Sequence, residues 1–226
     1  MDNFPRVPKR FSVIDEANRG EYAYILRGDE CFYIWERMSH LWKSRDRLDY
    51  SKYPTNGFIS NFQIPVSCKT ENPYRFKHKG AAINFAAQAL GVLLPAEWRQ
   101  AGTFVPMPPS KVKDDPEHDP RLLKTLKAVK PLLSDVRELV LQSENVDSKQ
   151  KGLRPEDRSE HYYIHEKVSD PEPSLLFVVD DVLTTGSHFK AVQTVLARRF
   201  SDALVCGIFL ARAVRPIQEE DETTPL

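Results

Sequence analysis

The chain has 226 residues, and its 32 basic and 32 acidic side chains cancel to a formal net charge of zero. At about 150 residues per domain, that length fits one large domain or one domain with an appendage, with enough chain to bury a core unaided. Hydrophobic residues at 41% and charged residues at 28% exclude a disordered chain, and the balanced charge gives no global field that would indicate nucleic acid or a membrane as partner.

Residues 1–78 are aromatic-rich and interrupted by proline, with short β-favouring pieces at Tyr22 to Leu26 and Cys31 to Trp35; they are expected to form a strand-bearing amino-terminal appendage or hood. The aromatics Phe32, Tyr33, Trp35 and Trp42 are read as its core rather than as a base-stacking platform. From Lys79 the composition changes, and Gly80 to Leu94 reads as a buried helix stopped by Pro95. Thr103 to Met107 reads as a short strand. After a polar loop, Leu122, Leu126, Val129, Leu133, Val136 and Val140 recur in steps of three and four, which predicts a helix that Pro131 kinks or splits. Residues 143–160 carry charges of both signs with no apolar period, so they read as a long loop. Tyr162 to Ile164 follows as a brief strand. Leu175 to Val179 then reads as a buried parallel strand, His188 to Phe200 as a helix and Ala203 to Leu210 as a final strand, together one βαβ unit. The central domain is placed at 79–213 and an acidic tail at 214–226.

Cys31, Cys68 and Cys206 are too few and too scattered for a disulfide framework or a zinc ribbon. The nearly apolar run at 81–96 falls short of the roughly 20 residues of a membrane span, and no apolar segment follows the basic amino terminus. No membrane partner and a cytoplasmic location are therefore the expectation.

The chemistry concentrates in Phe177-Val-Val-Asp-Asp-Val-Leu-Thr-Thr-Gly-Ser187. A buried strand delivers Asp180 and Asp181 at its carboxyl end, where open α/β sheets bind ligands. Thr184, Thr185, Gly186 and Ser187 then open a helix with hydroxyls and unpaired N–H groups, which suits a phosphate. Two carboxylates beside a phosphate repel it unless they meet sugar hydroxyls or a metal ion. A phosphorylated ribose with a magnesium ion satisfies both halves. The alternative for the same residues is a purely structural turn at the end of a strand.

This stretch resembles the PRPP-binding signature of the type I phosphoribosyltransferases. The wider chain, about residues 75–213, is similar to their ComF-like branch: Arg75 to Gly80, Val105-Pro-Met-Pro-Pro-Ser-Lys111, the spacing of Gln150, Leu153 and Arg158, and the ending Phe209-Leu-Ala-Arg212 all match in part. Three departures stand out. No paired cysteines exist for an amino-terminal zinc ribbon, Asp119-Pro-Arg-Leu-Leu-Lys124 replaces the Arg-Gly-Phe-Asn-Gln stretch, and His161 stands where an Asn is usual.

The resemblance implies an α/β fold with a central parallel sheet of the phosphoribosyltransferase kind. It also implies Mg²⁺-dependent transfer of a phosphoribosyl group from PRPP to a nitrogen acceptor that the sequence does not identify, with release of pyrophosphate, a reaction of nucleotide metabolism. Asp180 and Asp181 would bind the ribose hydroxyls, directly or through Mg²⁺, and Thr184, Thr185, Gly186 and Ser187 would hold the 5-phosphate. Pro108, Ser110 and Lys111 would receive pyrophosphate. Lys149, Lys151, Arg154 and Arg158 would belong to a flexible loop closing over the site. His188, at the start of the helix, is a further phosphate contact to consider. A homodimer stays open. The alternative function is a PRPP- or nucleotide-sensing module of a DNA-uptake or defence system, which keeps the cradle and catalyses nothing.

Overall fold

The structure, a computed structural model, describes residues 4–38, 53–145 and 153–214. Trp42, Lys149, Gln150, Lys151 and the expected acidic tail beyond Val214 lie outside the described residues. Its centre is a six-stranded, mostly parallel sheet in the order β1-β2-β8-β7-β3-β4, with seven α-helices among the described residues. The expected βαβ unit forms as β7 (Leu175–Leu183), α7 (Ser187–Arg199) and β8 (Leu204–Val214), with β7 and β8 parallel and Val179 opposite Ile208. Leu176 to Val179 are all buried, as a continuous apolar run requires when helices cover both faces of a sheet. Side-chain alternation sets those faces. Phe177 stacks on Trp98 of α4 (Ala96–Ala101), and Phe209 of β8 points the other way to meet Phe189 of α7. β3 (Thr103–Pro106) lies parallel beside β7, and β4 (Asp135–Val136) lies beside β3.

The amino-terminal region supplies one side of this sheet. β2 (Cys31–Met38) runs parallel to β8, and β1 (Ser12–Val13) pairs antiparallel with β2 at the edge. Ile14, Tyr22, Ile25 and Trp35 join the same buried cluster as β7 and β8. Phe32 packs on Trp98, and Trp35 stacks on Phe85, so these aromatics are core. The boundary placed at residue 78 falls inside α3 (Pro73–Leu93). That helix is capped by the Asn72 side chain accepting from the Arg75 N–H. It is buried along one face through Ala82, Ala86, Ala89 and Leu90 but leaves Val92 72% exposed.

Three expectations are corrected. Tyr22 to Leu26 is not a strand: Tyr22 and Ile25 are buried at a spacing of three, and Asp29 closes a turn by accepting from the Leu26 N–H at 2.7 Å. The helix expected to continue past Pro131 ends at Ala128, as α5 (Arg121–Ala128). A proline offers no N–H to continue a helix, and the apolar residues beyond it serve β4 and β5 (Val140–Gln142), which forms an antiparallel hairpin with β6 (Tyr162–Ile164). The end of the expected 143–160 loop is helical, as α6 (Pro155–Ser159), started by Pro155 at a position where its missing N–H costs nothing. No helix among the described residues is long and apolar enough to cross a membrane. Cys31, Cys68 and Cys206 are buried free thiols.

Candidate functional site

A cleft of about 270 Å³ opens where β3 and β7 end. The loop after β3, Met107 to Lys111, forms one wall, and the end of β7 with the turn into α7 forms the floor. The opening at the carboxyl ends of parallel strands is where ligands of open α/β sheets bind. The cleft gathers Pro108, Ser110, Lys111, Asp180, Asp181, Thr184 and Gly186 from the residues singled out in the sequence, along with His188. Thr185 and Ser187 belong to the same turn but do not line the cleft.

The two carboxylates have different surroundings because successive residues of a strand point to opposite faces. Asp181, 6% exposed, accepts three hydrogen bonds on Oδ2: from Arg121 Nε at 3.1 Å, Arg121 Nη2 at 2.6 Å and Gln63 Nε2 at 3.0 Å. Gln63 follows directly on α1 (Pro54–Phe62). The same guanidinium donates through Nη1 to Asp119 at 2.7 Å. Asp119 in turn accepts from Lys79 Nζ at 2.7 Å, and that ammonium, 4% exposed, also donates to the carbonyls of Phe62 and Ile64. Lys79, Asp119, Arg121 and Asp181 therefore form a chain of alternating charge running from the interior to the cleft.

These contacts set the titration of the pair. Burial alone would raise the Asp181 carboxyl, but Arg121 and then Gln63 outweigh it and hold the group below the ordinary carboxylate range. Asp180 goes the other way: removal from water and then the neighbouring Asp181 charge push it up to about 8, against a hydrogen bond from the Asp181 N–H at 2.8 Å. Lys79 is lowered by burial, with Asp119 opposing. Partial loss of hydration and the Arg158 guanidinium lower His188, so its ring is neutral at pH 7 and offers a hydrogen bond rather than a charge.

The turn into α7 depends on Gly186, whose φ of 85° is left-handed. A Cβ there would also come within 2.7 Å of Ile25 Cδ1. Tyr24 N–H donates to Thr185 O at 3.0 Å, so the amino-terminal segment braces the turn from outside. Ser187 Oγ donates to Leu153 O at 2.6 Å and accepts from Arg158 Nε at 3.4 Å. Arg158, 5% exposed, is packed beneath α7 and does not reach the cleft. Arg154 is exposed and pairs with Asp157.

Sequence reasoning missed Gln63, Lys79, Asp119 and Arg121. The available signal is Asp119-Pro-Arg121 itself, which stands in the sequence as a departure from the branch it resembles. Among the described residues no three His, Cys, Asp or Glu side chains gather as a metal site. A hydrated Mg²⁺ needs only one or two carboxylates when a ligand's phosphates supply the rest. Asp180 fits that role in its ionised form, which a bound cation would favour over the protonated form that burial and the Asp181 charge favour without one. Asp181 fits poorly, because Oδ2 is occupied by Arg121 and Gln63.

No protein-family model matches this chain, and no curated protein matches it.

Proposed function

We propose that the cleft binds a phosphorylated ribose, and that the chain is a phosphoribosyltransferase of the type I kind, taking its donor from PRPP. The observation that carries this reading is that the carboxylates ending β7, the glycine turn opening α7 and the Pro108 to Lys111 loop all meet in one cleft. The N–H groups at the start of a helix have no intrahelical partners, and the positive end of its dipole favours an anion by about 0.3–1 kcal/mol; this turn holds the 5-phosphate. Asp180 reaches the ribose hydroxyls from the floor. Lys111, on the facing loop, supplies a point charge for the diphosphate. In the transfer, the acceptor nitrogen's lone pair forms a bond to ribose C1 while the C1–O bond breaks, and its electron pair leaves with pyrophosphate. A bound Mg²⁺ would be held by Asp180 and would neutralise part of the diphosphate charge.

Arg121 gives the site an internal cation beside Asp181. That favours a second reading, a module that binds the same ligand without turning it over, because one carboxylate is already committed to a structural partner. Titration calorimetry with ribose 5-phosphate and PRPP, with and without Mg²⁺, tests the shared binding step, and Asp180→Asn should weaken PRPP tenfold or more. Pyrophosphate release with a panel of nitrogen bases then separates transferase from sensor. Equal affinity in Asp180→Asn would remove both.

A further inference from the structure

Lys79 is buried in α3 and does not line the cleft, yet two paths of hydrogen bonds lead from its ammonium to the same carboxylate oxygen. One path runs through charge. Lys79 Nζ and Arg121 Nη1 both donate to Asp119 Oδ2 at 2.7 Å, and the other two nitrogens of Arg121 donate to Asp181 Oδ2. The second path runs through the backbone. Lys79 Nζ donates to Phe62 O at 3.2 Å and to Ile64 O at 2.7 Å, the carbonyls on either side of Gln63, whose Nε2 donates to Asp181 Oδ2 at 3.0 Å. The two paths close a ring that joins α3, the turn after α1, α5 and the end of β7.

The ammonium is satisfied at this depth because its three protons meet three acceptors, the Asp119 carboxylate and the two carbonyls. Phe62 ends α1, so its carbonyl has no partner within the helix, and a cation suits that end of the helix dipole. Stability alone does not account for a charge here, since well-packed apolar side chains in place of a buried ion pair are often as stable or more so. What an apolar side chain cannot do is hold two separate donors against one oxygen. Gln63, Arg121 and Asp181 all line the cleft, and Lys79 is the residue behind the cleft from which both arms start.

We infer that Lys79 is a positioning residue for the cleft: through both arms of the ring it fixes where Asp181 stands, so that Asp181 Oδ1, which takes none of these donors, meets a hydroxyl of the bound sugar. Without the ammonium, Asp119 draws Arg121 away from Asp181, and the turn that presents Gln63 loses its anchor. The sugar as ligand rests on the proposed function; the ring does not.

The test uses the full chain with ribose 5-phosphate as probe, in a cycle of Lys79→Met, Asp181→Asn and the double variant, with circular dichroism checking each fold. Calorimetry should show Lys79→Met weakening the probe about tenfold, the scale of loss when an outer partner of a binding group is removed. In the Asp181→Asn background the same substitution should add nothing, because Asp181 is the group through which Lys79 acts. A residue needed only for the fold would cost the same in both backgrounds; that result, or unchanged affinity in Lys79→Met, overturns the inference. Lys79→Gln, which keeps donors without the charge, carries the same cycle if Lys79→Met does not fold. A second readout needs no ligand: the Gln63 side-chain amide proton held by Asp181 should resonate downfield in the parent and return to the position of a solvated amide in the Lys79 variant. An unmoved resonance also overturns the inference. If the parent does not bind ribose 5-phosphate, the proposed function falls, and the amide resonance alone decides the role of Lys79.

Discussion

Arg121 holds Asp181 through two nitrogens of one guanidinium, Nε at 3.1 Å and Nη2 at 2.6 Å, and spends its third nitrogen on Asp119. A fork of this kind fixes both the position and the ionisation of a carboxylate, which a single ammonium does not. The cleft floor therefore contains one carboxylate locked in its charged form and one that resists ionisation.

Replacing Arg121 should be costly. Arg121→Met leaves Asp119 and Asp181 facing one another across a largely buried space, and removing one partner of a buried pair costs about 3 kcal/mol or more. Arg121→Lys keeps the charge but not the fork, and should lose less. Urea unfolding of the three proteins at pH 7 measures both. An Arg121→Met protein as stable as the parent would show that the chain of alternating charge contributes no stability.

The raised Asp180 carboxyl makes stability depend on pH with a definite sign. Between the ordinary carboxylate value and about 8, the folded protein holds a proton that the unfolded chain has released. The contribution is complete below that ordinary value and is lost as pH rises through about 8. Asp180→Asn has no proton to lose. Its stability relative to the parent should therefore increase from pH 5 to about pH 8 and level off above it in denaturant titrations. A difference that stays constant with pH would place Asp180 in the ordinary range.

Gly186 should tolerate no side chain, for two separable reasons. The left-handed backbone costs an L-residue about 1–2 kcal/mol, and the new Cβ meets Ile25 Cδ1 at 2.7 Å. Gly186→Ala should lower Tm by several degrees, at about 2–4 °C per kcal/mol for a chain of this size. In an Ile25→Ala background, the same substitution should cost only the backbone part. Thermal melts of the double-mutant cycle give the coupling, and strict additivity would mean that Ile25 yields without cost.

Ser187 ties the residues leading into α6 to the start of α7 through Leu153 O at 2.6 Å. Ser187→Ala removes that bond and the acceptor for Arg158 Nε, a loss of about 1 kcal/mol for a neutral hydrogen bond. Hydrogen exchange should quicken over residues 153–159 while the centre of β7 stays protected. Unchanged protection in α6 would show that the packing of Arg158 holds this segment alone.

Leu175 to Leu210 was legible in the sequence because every signal there is local: a continuous apolar run makes a buried parallel strand, and a glycine turn with hydroxyls opens a helix. The Asp180 and Asp181 pair and the glycine turn into α7 followed from the same stretch. Other elements were decided by tertiary structure. Leu133 and Val136 continue a helical period from Leu122, yet Pro131 breaks the backbone before both of them, and β3 offers a strand edge that takes Val136 opposite Phe104. Tyr22 and Ile25 look strand-like, but they bury as a turn beneath the α7 start, where Ile25 meets Gly186. The partner of Asp181 lies 60 residues away on α5, and Lys79 reaches Asp119 across 40 residues. An ion pair between distant positions leaves no spacing to read, because only the folded chain brings those charges together. Sequence alone therefore placed the carboxylates at the end of their strand, and tertiary structure decided which of the two stays charged.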